Sequence, residues 1–363
     1  MKLRQTAGLA VPLVAASILL AACSSSGSGS SSGSTPTSGS SSSAAASGGL
    51  KTGLKVFVIP KNLGNNYFTT ADSAKSGGAI AALEALGETG TETSGTAATP
   101  ASQIPAIQAA ISKGANALIV SATDPTALCP TLNAAMKRGI TVVTYDSDAP
   151  GCRDLFINQA STAQIGTSEV DVLAKQLNET GDIAIVSATA SATNQNAWIG
   201  YMKQQLKKYP KMKLVSTVYG NDDPATSLTV LQGLLSAYPN LRGIISPTTV
   251  GISTAAQYLS THKDVAKRVV LTGLGLPSQM KAYIHDGTVQ SFELWNPSDL
   301  GYLAGYAAAA LASGTTTLTA GSSFKAGTLG DYKIMAGTGD AGPSVVLGPP
   351  TVFDKSNVDK FDF

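Results

Sequence analysis

Polar and aromatic side chains follow several apolar runs of this sequence, at Lys61, Asp146, Asn194 and Thr248 among other positions. A carboxylate accepts strong, charge-assisted hydrogen bonds from hydroxyl groups, and amide side chains both donate and accept. The aromatic residues add flat faces that cover the C–H side of a ligand ring and exclude water. The candidate ligand-binding residues are Lys61, Tyr67, Phe68, Asp146, Asn194, Gln195, Pro247, Thr248, Thr249, Trp295 and Asn296. Together they predict binding of a small, neutral, hydroxyl-rich molecule; for each residue alone, ordinary loop or core chemistry is the alternative.

Groups that would support catalysis, a metal or a cofactor are scarce in the sequence. The two histidines, His262 and His285, have no second ligand at metal spacing. Neither a Walker-type phosphate loop nor a G-x-G-x-x-G motif after a strand is present. The stretch that begins at Asp146 starts like a calcium loop, but Pro150 and Ile157 occupy positions that need oxygen ligands. We therefore predict no catalytic residue, no metal and no cofactor.

An enzyme that hydrolyses sugars is the alternative from a different functional class. It would need two carboxylates placed across a cleft. Asp146 and Asp148 lie beside each other on one predicted loop. The sequence therefore favours a binding protein over an enzyme.

The candidate residues are separated by short apolar runs that alternate with amphipathic stretches. Near-continuous Val and Ile runs of this kind are typical of strands buried on both faces of a parallel sheet. The predicted strands cover residues 54–59, 117–121, 141–145, 155–158, 182–187, 214–219, 243–246, 269–272 and 289–295. Helix starts are indicated by Asp124-Pro125, Asp223-Pro224 and Ser161-x-x-Gln164. Alternating strands and helices predict an α/β fold of βαβ units.

The alternation restarts near Asp182, after a long predicted helix, so we expect two similar α/β lobes. About 310 residues follow the N-terminal segments, which is enough for two lobes. In open α/β sheets, ligands bind outside the carboxyl ends of the strands. The candidate residues fall at these ends in both lobes, so we expect them to meet in one cleft.

The N-terminus has the pattern of an export signal. Lys2 and Arg4 precede an apolar run over 7–20, and Leu20-Ala21-Ala22-Cys23 follows. This quartet resembles a bacterial lipobox, which predicts lipidation of Cys23. A retained transmembrane helix is the alternative, but the run is shorter than the roughly 20 residues that span a bilayer. The Ser- and Gly-rich stretch that follows buries almost nothing, so we expect a flexible tether.

Charge and cysteine content restrict the partners and the compartment. The chain has 25 basic and 23 acidic residues, and removal of Lys2 and Arg4 with the signal leaves 23 of each. This neutral balance gives no indication of nucleic-acid binding. Cys129 and Cys152 remain as a pair in an exported chain, where disulfides persist. We expect them to be bridged; two buried free thiols are the alternative.

Seven stretches resemble one family closely: the type I periplasmic sugar-binding proteins of ABC importers, and within them the rhamnose-binding group. The stretches are IPKNLGNNYF (59–68), TYDSD (144–148), SATNQNAWI (191–199), IISPTTVG (244–251), GLGLPSQM (273–280), ELWNPSDLGYLAGY (293–306) and GPPTVFDKSNVDKFDF (348–363). The resemblance implies two lobes, each a parallel sheet flanked by helices, joined by a hinge of three crossovers. The implied division is signal peptide 1–22, tether 23–50, N-terminal lobe 51–158 with 296–326, and C-terminal lobe 159–295 with 327–363.

A related group in the same family binds autoinducer-2. Its ligand contacts fall on Lys61, Asp146, Asn194, Gln195, Pro247 and Thr249 of this sequence. That group has aspartate where this chain has Asn194 and alanine where it has Thr249, so the resemblance favours rhamnose or a related monosaccharide and keeps autoinducer-2 as the alternative.

The resemblance also implies the protein's surroundings. We expect a monomer outside the cytoplasm, anchored to the membrane by its lipidated cysteine, that delivers a monosaccharide to an ABC importer permease. A sensor subunit that presents its closed form to a receptor is a further alternative, because both roles use the same closure.

Overall fold

The computed structural model describes residues 49–337 and 341–363. The predicted signal peptide, Cys23 and nearly all of the tether lie outside the described residues. Within the described part, no helix combines the length and apolar character that crossing a membrane requires.

All nine apolar runs predicted as strands form strands, within two residues at each end. The strands are β1 Lys55–Ile59, β2 Thr89–Glu92, β3 Ala117–Val120, β4 Thr141–Tyr145, β5 Leu155–Asn158, β6 Gly181–Ser187, β7 Met212–Tyr219, β8 Leu241–Ser246, β9 Val270–Gly273, β10 Ser291–Leu294, β11 Ser323–Lys325, β12 Asp331–Lys333, β13 Ser344–Val346 and β14 Thr351–Asp354. The five strands that the sequence did not predict are β2 and β11–β14. They have three or four residues each, and β2 is a polar TGTE sequence, so their apolar patterns are too short to be recognised.

The helices are α1 Asn66–Asp72, α2 Ala79–Ala85, α3 Pro100–Ser112, α4 Pro125–Lys137, α5 Thr162–Leu177, α6 Thr193–Gln205, α7 Pro224–Ala237, α8 Thr249–Thr261, α9 Lys263–Ala266, α10 Pro277–His285 and α11 Pro297–Ser313. Three of them, α4, α5 and α7, begin where the capping signals predicted. Asp124, Ser161 and Asp223 each accept a hydrogen bond from a backbone N–H in the first turn of the helix that follows.

Two parallel sheets form the framework, as the predicted α/β fold requires. The first has six strands in the order β13-β5-β4-β3-β1-β2, and the second has four in the order β7-β6-β8-β9. We call each sheet with its helices a lobe. In the first lobe, α1, α2 and α11 cover one face, and α3 and α4 cover the other. In the second lobe, α5 packs against β8 and β9, while α7 and α8 pack together. Two antiparallel pairs, β10 with β14 and β11 with β12, complete the described strands, and β10 packs against β9 and α5 of the second lobe.

Close packing of α11 against α1 and α2 depends on two glycines. A Cβ on Gly301 would lie 1.7 Å from the carbonyl oxygen of Ala71, and one on Gly305 would lie 2.8 Å from the Cβ of Ala82. The contact holds α1, which carries Tyr67 and Phe68, in a fixed place beside the first sheet.

The chain passes between the lobes at three places, and the third differs from the sequence prediction. The first lies between β5 and α5, near Asn158, and the second between β10 and α11, at Trp295. The predicted third crossover near Gly327 would place 327–363 in the second lobe, but β13 pairs with β5 in the first sheet, and only β14 pairs with β10. We therefore propose that the third crossover lies between Val346 and Thr351. The three residues of β13 are too few for a sequence pattern to reveal this.

Cys129 and Cys152 form the predicted disulfide, with their Cα atoms 5.2 Å apart. The bridge connects α4 to the loop that follows β4. It therefore restrains the loop that begins at Asp146.

Two buried glutamates, Glu169 on α5 and Glu293 on β10, lie near each other in the second lobe. The Ser168 hydroxyl donates to Glu293 Oε1 over 2.5 Å, and the other three carboxyl oxygens have no hydrogen-bond partner among the described residues. Burial raises the pKa of Glu293 to about 7, with a contribution from the nearby charge of Asp171. Burial, reinforced by Glu293, raises the pKa of Glu169 well above its usual range. Both groups are therefore protonated in the folded protein under mildly acidic conditions.

From the raised pKa values of Glu169 and Glu293 we predict that the protein becomes less stable as the pH rises. Between the ordinary glutamate pKa of 4.5 and the folded value of about 7, the unfolded chain has lost its proton while the folded chain keeps it. The free energy of unfolding therefore falls through this window as pH increases. We expect the Tm of the wild type to drop by several degrees from pH 5 to pH 8, and Glu293→Gln to reduce that drop. Thermal melts at both pH values measure it; an equal drop in both proteins would contradict the assignment.

Candidate ligand-binding site

The predicted site residues meet in a cavity between the lobes, at the carboxyl ends of the strands. The space between its lining atoms, including solvent at the opening, is about 350 Å³. The lining residues are Lys61, Asn65, Tyr67, Phe68, Asp146, Asn194, Gln195, Trp198, Asp222, Pro247, Thr248, Thr249, Leu274, Leu294 and Trp295. Ten of the eleven candidates from the sequence are among them.

Asn296 is the exception, and its placement corrects the sequence prediction. Its side-chain oxygen accepts a hydrogen bond from the backbone N–H of Ser298 over 3.0 Å, so Asn296 is the N-cap of α11. It lines a different, hinge-side groove and not the central cavity. The capping role of an Asn before Pro297 explains the residue.

Asp146 is the most connected group in the cavity, and it is 5% exposed. Its Oδ2 lies 3.3 Å from the ammonium of Lys61, which is 4% exposed, and accepts the Ser121 hydroxyl over 2.7 Å. Its φ is +58°, a left-handed conformation that is uncommon outside glycine. Backbone strain of this kind is concentrated at functional sites. The strand end thus holds a buried, paired carboxylate in a fixed orientation toward the cavity.

The first turn of α6 brings the second lobe to Asp146. The Asn194 amide donates to Asp146 Oδ1 over 3.2 Å and to its backbone oxygen over 3.3 Å. The N-terminal end of a helix carries positive partial charge, which favours a nearby carboxylate. Asn194 in turn accepts the backbone N–H of Gln195, so its amide is oriented with the NH₂ group toward Asp146.

Other hydrogen bonds from the same turn join the lobes directly. Ser191 donates its hydroxyl to the Thr123 carbonyl over 3.0 Å, and Thr193 donates to the Asp148 carbonyl over 2.9 Å. The lobes are therefore closed over the cavity. Gln195 does not cross the cleft: its Oε1 accepts the Ser187 hydroxyl and the Ala188 N–H, which leaves its NH₂ group to face the cavity.

Aromatic rings form one wall. Tyr67 packs edge-on against Phe68, with ring centroids 5.1 Å apart, and Trp295 lies 6.2 Å from Tyr67 and 6.0 Å from Trp198. The Trp295 indole N–H donates to the Tyr67 hydroxyl over 2.9 Å. Burial, together with the negative charge of Asp146, raises the pKa of Tyr67 well above its usual range. The phenol therefore keeps its proton and remains a hydrogen-bond donor.

Three lining residues on the second lobe come from the segment between β8 and α8. Pro247, Thr248 and Thr249 form the turn into α8, and Thr248 is its N-cap residue. The Thr248 hydroxyl donates to Asp222 Oδ1 over 2.5 Å. Leu274 and Leu294 add a small apolar surface to the same cavity.

The sequence candidates did not include Asn65, Trp198, Asp222, Leu274 and Leu294, which also line the cavity. Asp222 lies at a strand end, after β7, but the adjacent Asp223-Pro224 indicates a helix start, and the sequence alone does not show that the two aspartates have different roles. Asn65 is the N-cap of α1 and also lines the cavity. Leu274 and Leu294 are apolar, so nothing in the sequence distinguishes them from core residues, and only the folded structure shows that they line the cavity.

The arrangement is suited to binding a small polar molecule. In the described part of the chain, no cluster of three or more His, Cys, Asp or Glu side chains is placed to hold a metal ion. The polar groups are donors and acceptors in fixed positions beside an aromatic wall, which is the composition of a pocket for a polyhydroxylated ring.

Removing the Tyr67 hydroxyl tests the aromatic wall. Tyr67→Phe leaves the buried Trp295 N–H without an acceptor, and an unpaired buried donor costs about 1–3 kcal/mol. We expect the free energy of unfolding to fall by that amount, measured by denaturant titration. Tyr238→Phe is a suitable control, because Tyr238 is half-buried on the core of the second lobe. Equal, negligible changes in both variants would show that the hydrogen bond contributes nothing.

Comparison with known proteins agrees with this geometry. Residues 56–316 match the family model described as a periplasmic binding protein domain. An ABC transporter solute-binding protein from Clostridium phytofermentas, solved with bound L-rhamnose, is 38% identical, with a TM-score of 0.81, over 86% of this chain and 98% of that one. LsrB from Clostridium saccharobutylicum, solved in complex with AI-2, is 28% identical, with a TM-score of 0.80, over 85% of this chain and all of that one.

A curated relative gives a shorter match. The D-ribose/D-allose-binding protein of Pseudomonas aeruginosa is 25% identical over 155 residues, which is 40% of this chain and 47% of the relative. This chain therefore matches about half the length of that protein. The family and its solved members are solute-binding proteins and not enzymes. The chain belongs to the periplasmic binding protein family, among the sugar-binding solute-binding proteins of ABC transporters.

Proposed function

We propose that this protein binds L-rhamnose or a related monosaccharide in the interlobe cavity and delivers it to the permease of an ABC importer. The observation that carries the proposal is the closed cavity around Asp146, in which a buried carboxylate, two amides and an aromatic wall face one another. The 38% identical protein solved with L-rhamnose supports the choice of sugar.

The apolar part of the cavity favours a deoxy sugar. L-rhamnose is 6-deoxy-L-mannose, so it carries a methyl group where L-mannose carries a hydroxymethyl group. Leu274 and Leu294 offer a surface on which a methyl group is buried without loss of hydrogen bonds. A hydroxyl at the same place would need a partner that leucine does not provide.

A panel of ligands tests the sugar assignment. Thermal unfolding of ligand-free protein is measured with L-rhamnose, L-mannose, D-ribose, D-galactose and autoinducer-2, since a ligand that binds the native state raises Tm. We expect the largest increase with L-rhamnose and a smaller one with L-mannose. No increase with any of the sugars at millimolar concentration would exclude the proposal.

Autoinducer-2 is the second candidate, and the AI-2 complex of the 28% identical LsrB favours it. Asn194 stands against it, because its amide donates to Asp146 where the autoinducer-2-binding group has a carboxylate. A larger Tm increase with autoinducer-2 than with L-rhamnose would reverse this order.

Anchoring by a lipid on Cys23 is part of the proposal. The Leu20-Ala21-Ala22-Cys23 quartet and the Ser- and Gly-rich stretch after it support it. The Cys23→Ser variant, expressed in a bacterial host that processes lipoproteins, should leave the membrane fraction. Equal membrane retention of wild type and variant would contradict lipid anchoring.

A further inference from the structure

Asp222 occupies a distinct position at the mouth of the cleft. It lies in the turn after β7 and lines both the inner cavity and a larger chamber open to the solvent. Asn221 and Asp222 have φ values of +56° and +52°. Two consecutive non-glycine residues in the left-handed region store strain, which persists only where the surrounding structure enforces it. This turn presents the Asp222 side chain to the cleft.

The carboxylate of Asp222 accepts a hydrogen bond at only one of its two oxygens among the described residues. Thr248 donates its hydroxyl to Oδ1 over 2.5 Å. Among the described residues, no other group donates a hydrogen bond to this carboxylate. Its Oδ2 is therefore free to accept a hydrogen bond from a molecule in the cavity.

The charges around Asp222 come from the opposite lobe. Burial raises the pKa of Asp222, and the positive charge of Lys61 opposes that increase. The Lys61 ammonium is paired with Asp146 of its own lobe, and its charge also acts on Asp222 of the other lobe.

Building on the proposed function, we infer that Asp222 is a second ligand-binding carboxylate, which accepts a hydrogen bond from a sugar hydroxyl at the cleft mouth. With Asp146 on the first lobe and Asp222 on the second, a sugar with hydroxyls on both sides bridges the lobes when they close. The same pair of carboxylates disfavours sugars that carry a carboxylate or a phosphate, because like charges brought together at close range repel.

Two substitutions separate the contact from the backbone strain. Asn adopts left-handed φ readily, so Asp222→Asn removes the charge and keeps the turn. Gly also accepts this φ, so Asp222→Gly removes the whole side chain. We expect calorimetry to show L-rhamnose affinity about tenfold weaker for Asp222→Asn and about a hundredfold weaker for Asp222→Gly. Asp223→Asn is the matched control, because Asp223 is the exposed N-cap of α7 and Asn caps equally well.

Deoxy sugars identify the contact itself. The 2-, 3- and 4-deoxy derivatives of L-rhamnose are titrated into wild type and Asp222→Gly. If Asp222 binds one hydroxyl, the derivative that lacks this hydroxyl binds weakly to the wild type. Its affinity for Asp222→Gly should then be no lower than its affinity for the wild type. Equal additional losses for every derivative would overturn the inference and indicate that Asp222 acts through closure alone. Wild-type affinity in Asp222→Gly would overturn it as well.

The outcomes distinguish this inference from the proposed function. If the wild type binds L-rhamnose and the Asp222 variants bind it equally well, only the inference about Asp222 is contradicted. If another sugar of the panel binds in place of L-rhamnose, the same cycle is run with the deoxy derivatives of that sugar. Failure of the wild type to bind any sugar removes both.

Discussion

Asp146→Asn is expected to weaken L-rhamnose binding by about two orders of magnitude or more while the protein remains folded. The carboxylate can accept hydrogen bonds from two ligand hydroxyls, and each hydrogen bond to a charged group contributes about 1.5–3 kcal/mol. Asparagine retains one acceptor oxygen and turns the other position into a donor. Calorimetry of the purified variant measures the change.

Asparagine is a better replacement than alanine at this position. The φ of +58° at residue 146 is tolerated by Asn and strained for Ala. Either substitution leaves the buried Lys61 ammonium without its counter-charge, and breaking a buried pair from one side is strongly destabilising. The double variant Lys61→Met with Asp146→Asn should recover most of the lost stability and none of the lost affinity.

A surface substitution provides the control for charge removal. Asp264 is exposed at the start of α9, so Asp264→Asn changes the net charge equally without touching the cleft. We expect its affinity to equal that of the wild type. Wild-type affinity in Asp146→Asn would show that the ligand binds elsewhere.

Asn194→Asp is expected to have the second-largest effect. It replaces the amide that donates to Asp146 Oδ1 over 3.2 Å with a second carboxylate. Like charges at this distance disfavour closure and cost several kcal/mol, so we expect L-rhamnose binding at pH 7.5 to weaken about a hundredfold. At pH 5 one carboxyl of such a pair retains a proton, so part of the affinity should return.

The adjacent Asn196 is the matched control for this charge change. It lies on the same turn, is exposed, and donates to the Ala190 carbonyl without crossing the cleft. Asn196→Asp adds the same charge to the same helix end and should leave binding nearly unchanged. The contact between the lobes at residue 194 would be unimportant if both variants bound L-rhamnose equally at both pH values.

Sequence patterns predicted the sheets and most of the site because both depend on local signals. Buried parallel strands require continuous apolar runs, and ligands bind at their carboxyl ends, so the amino-acid sequence was sufficient to indicate Lys61, Asp146 and Asn194. Strands such as β13 could not be predicted, because three residues of an edge strand carry no distinctive period.

Residues with two plausible roles were harder to assign. Asn296 and Asp222 both stand beside a proline-started helix. Asn296 is the N-cap of α11. Before α7 the N-cap is Asp223, and the preceding Asp222 lines the cavity instead. Whether such a residue caps the helix or lines the cavity depends on the direction of its side chain, which is set by the backbone conformation of the turn. The contacts of Ser191, Thr193 and Asn194 that close the lobes could not be predicted either, because they join residues that are far apart in the sequence.

Calorimetric titration of L-rhamnose into ligand-free wild-type protein tests the central claim most directly. We expect saturable binding of one sugar per chain, with a Kd in the micromolar range or below. The absence of any binding heat with L-rhamnose at millimolar concentration, in a protein shown to be folded, would contradict the claim.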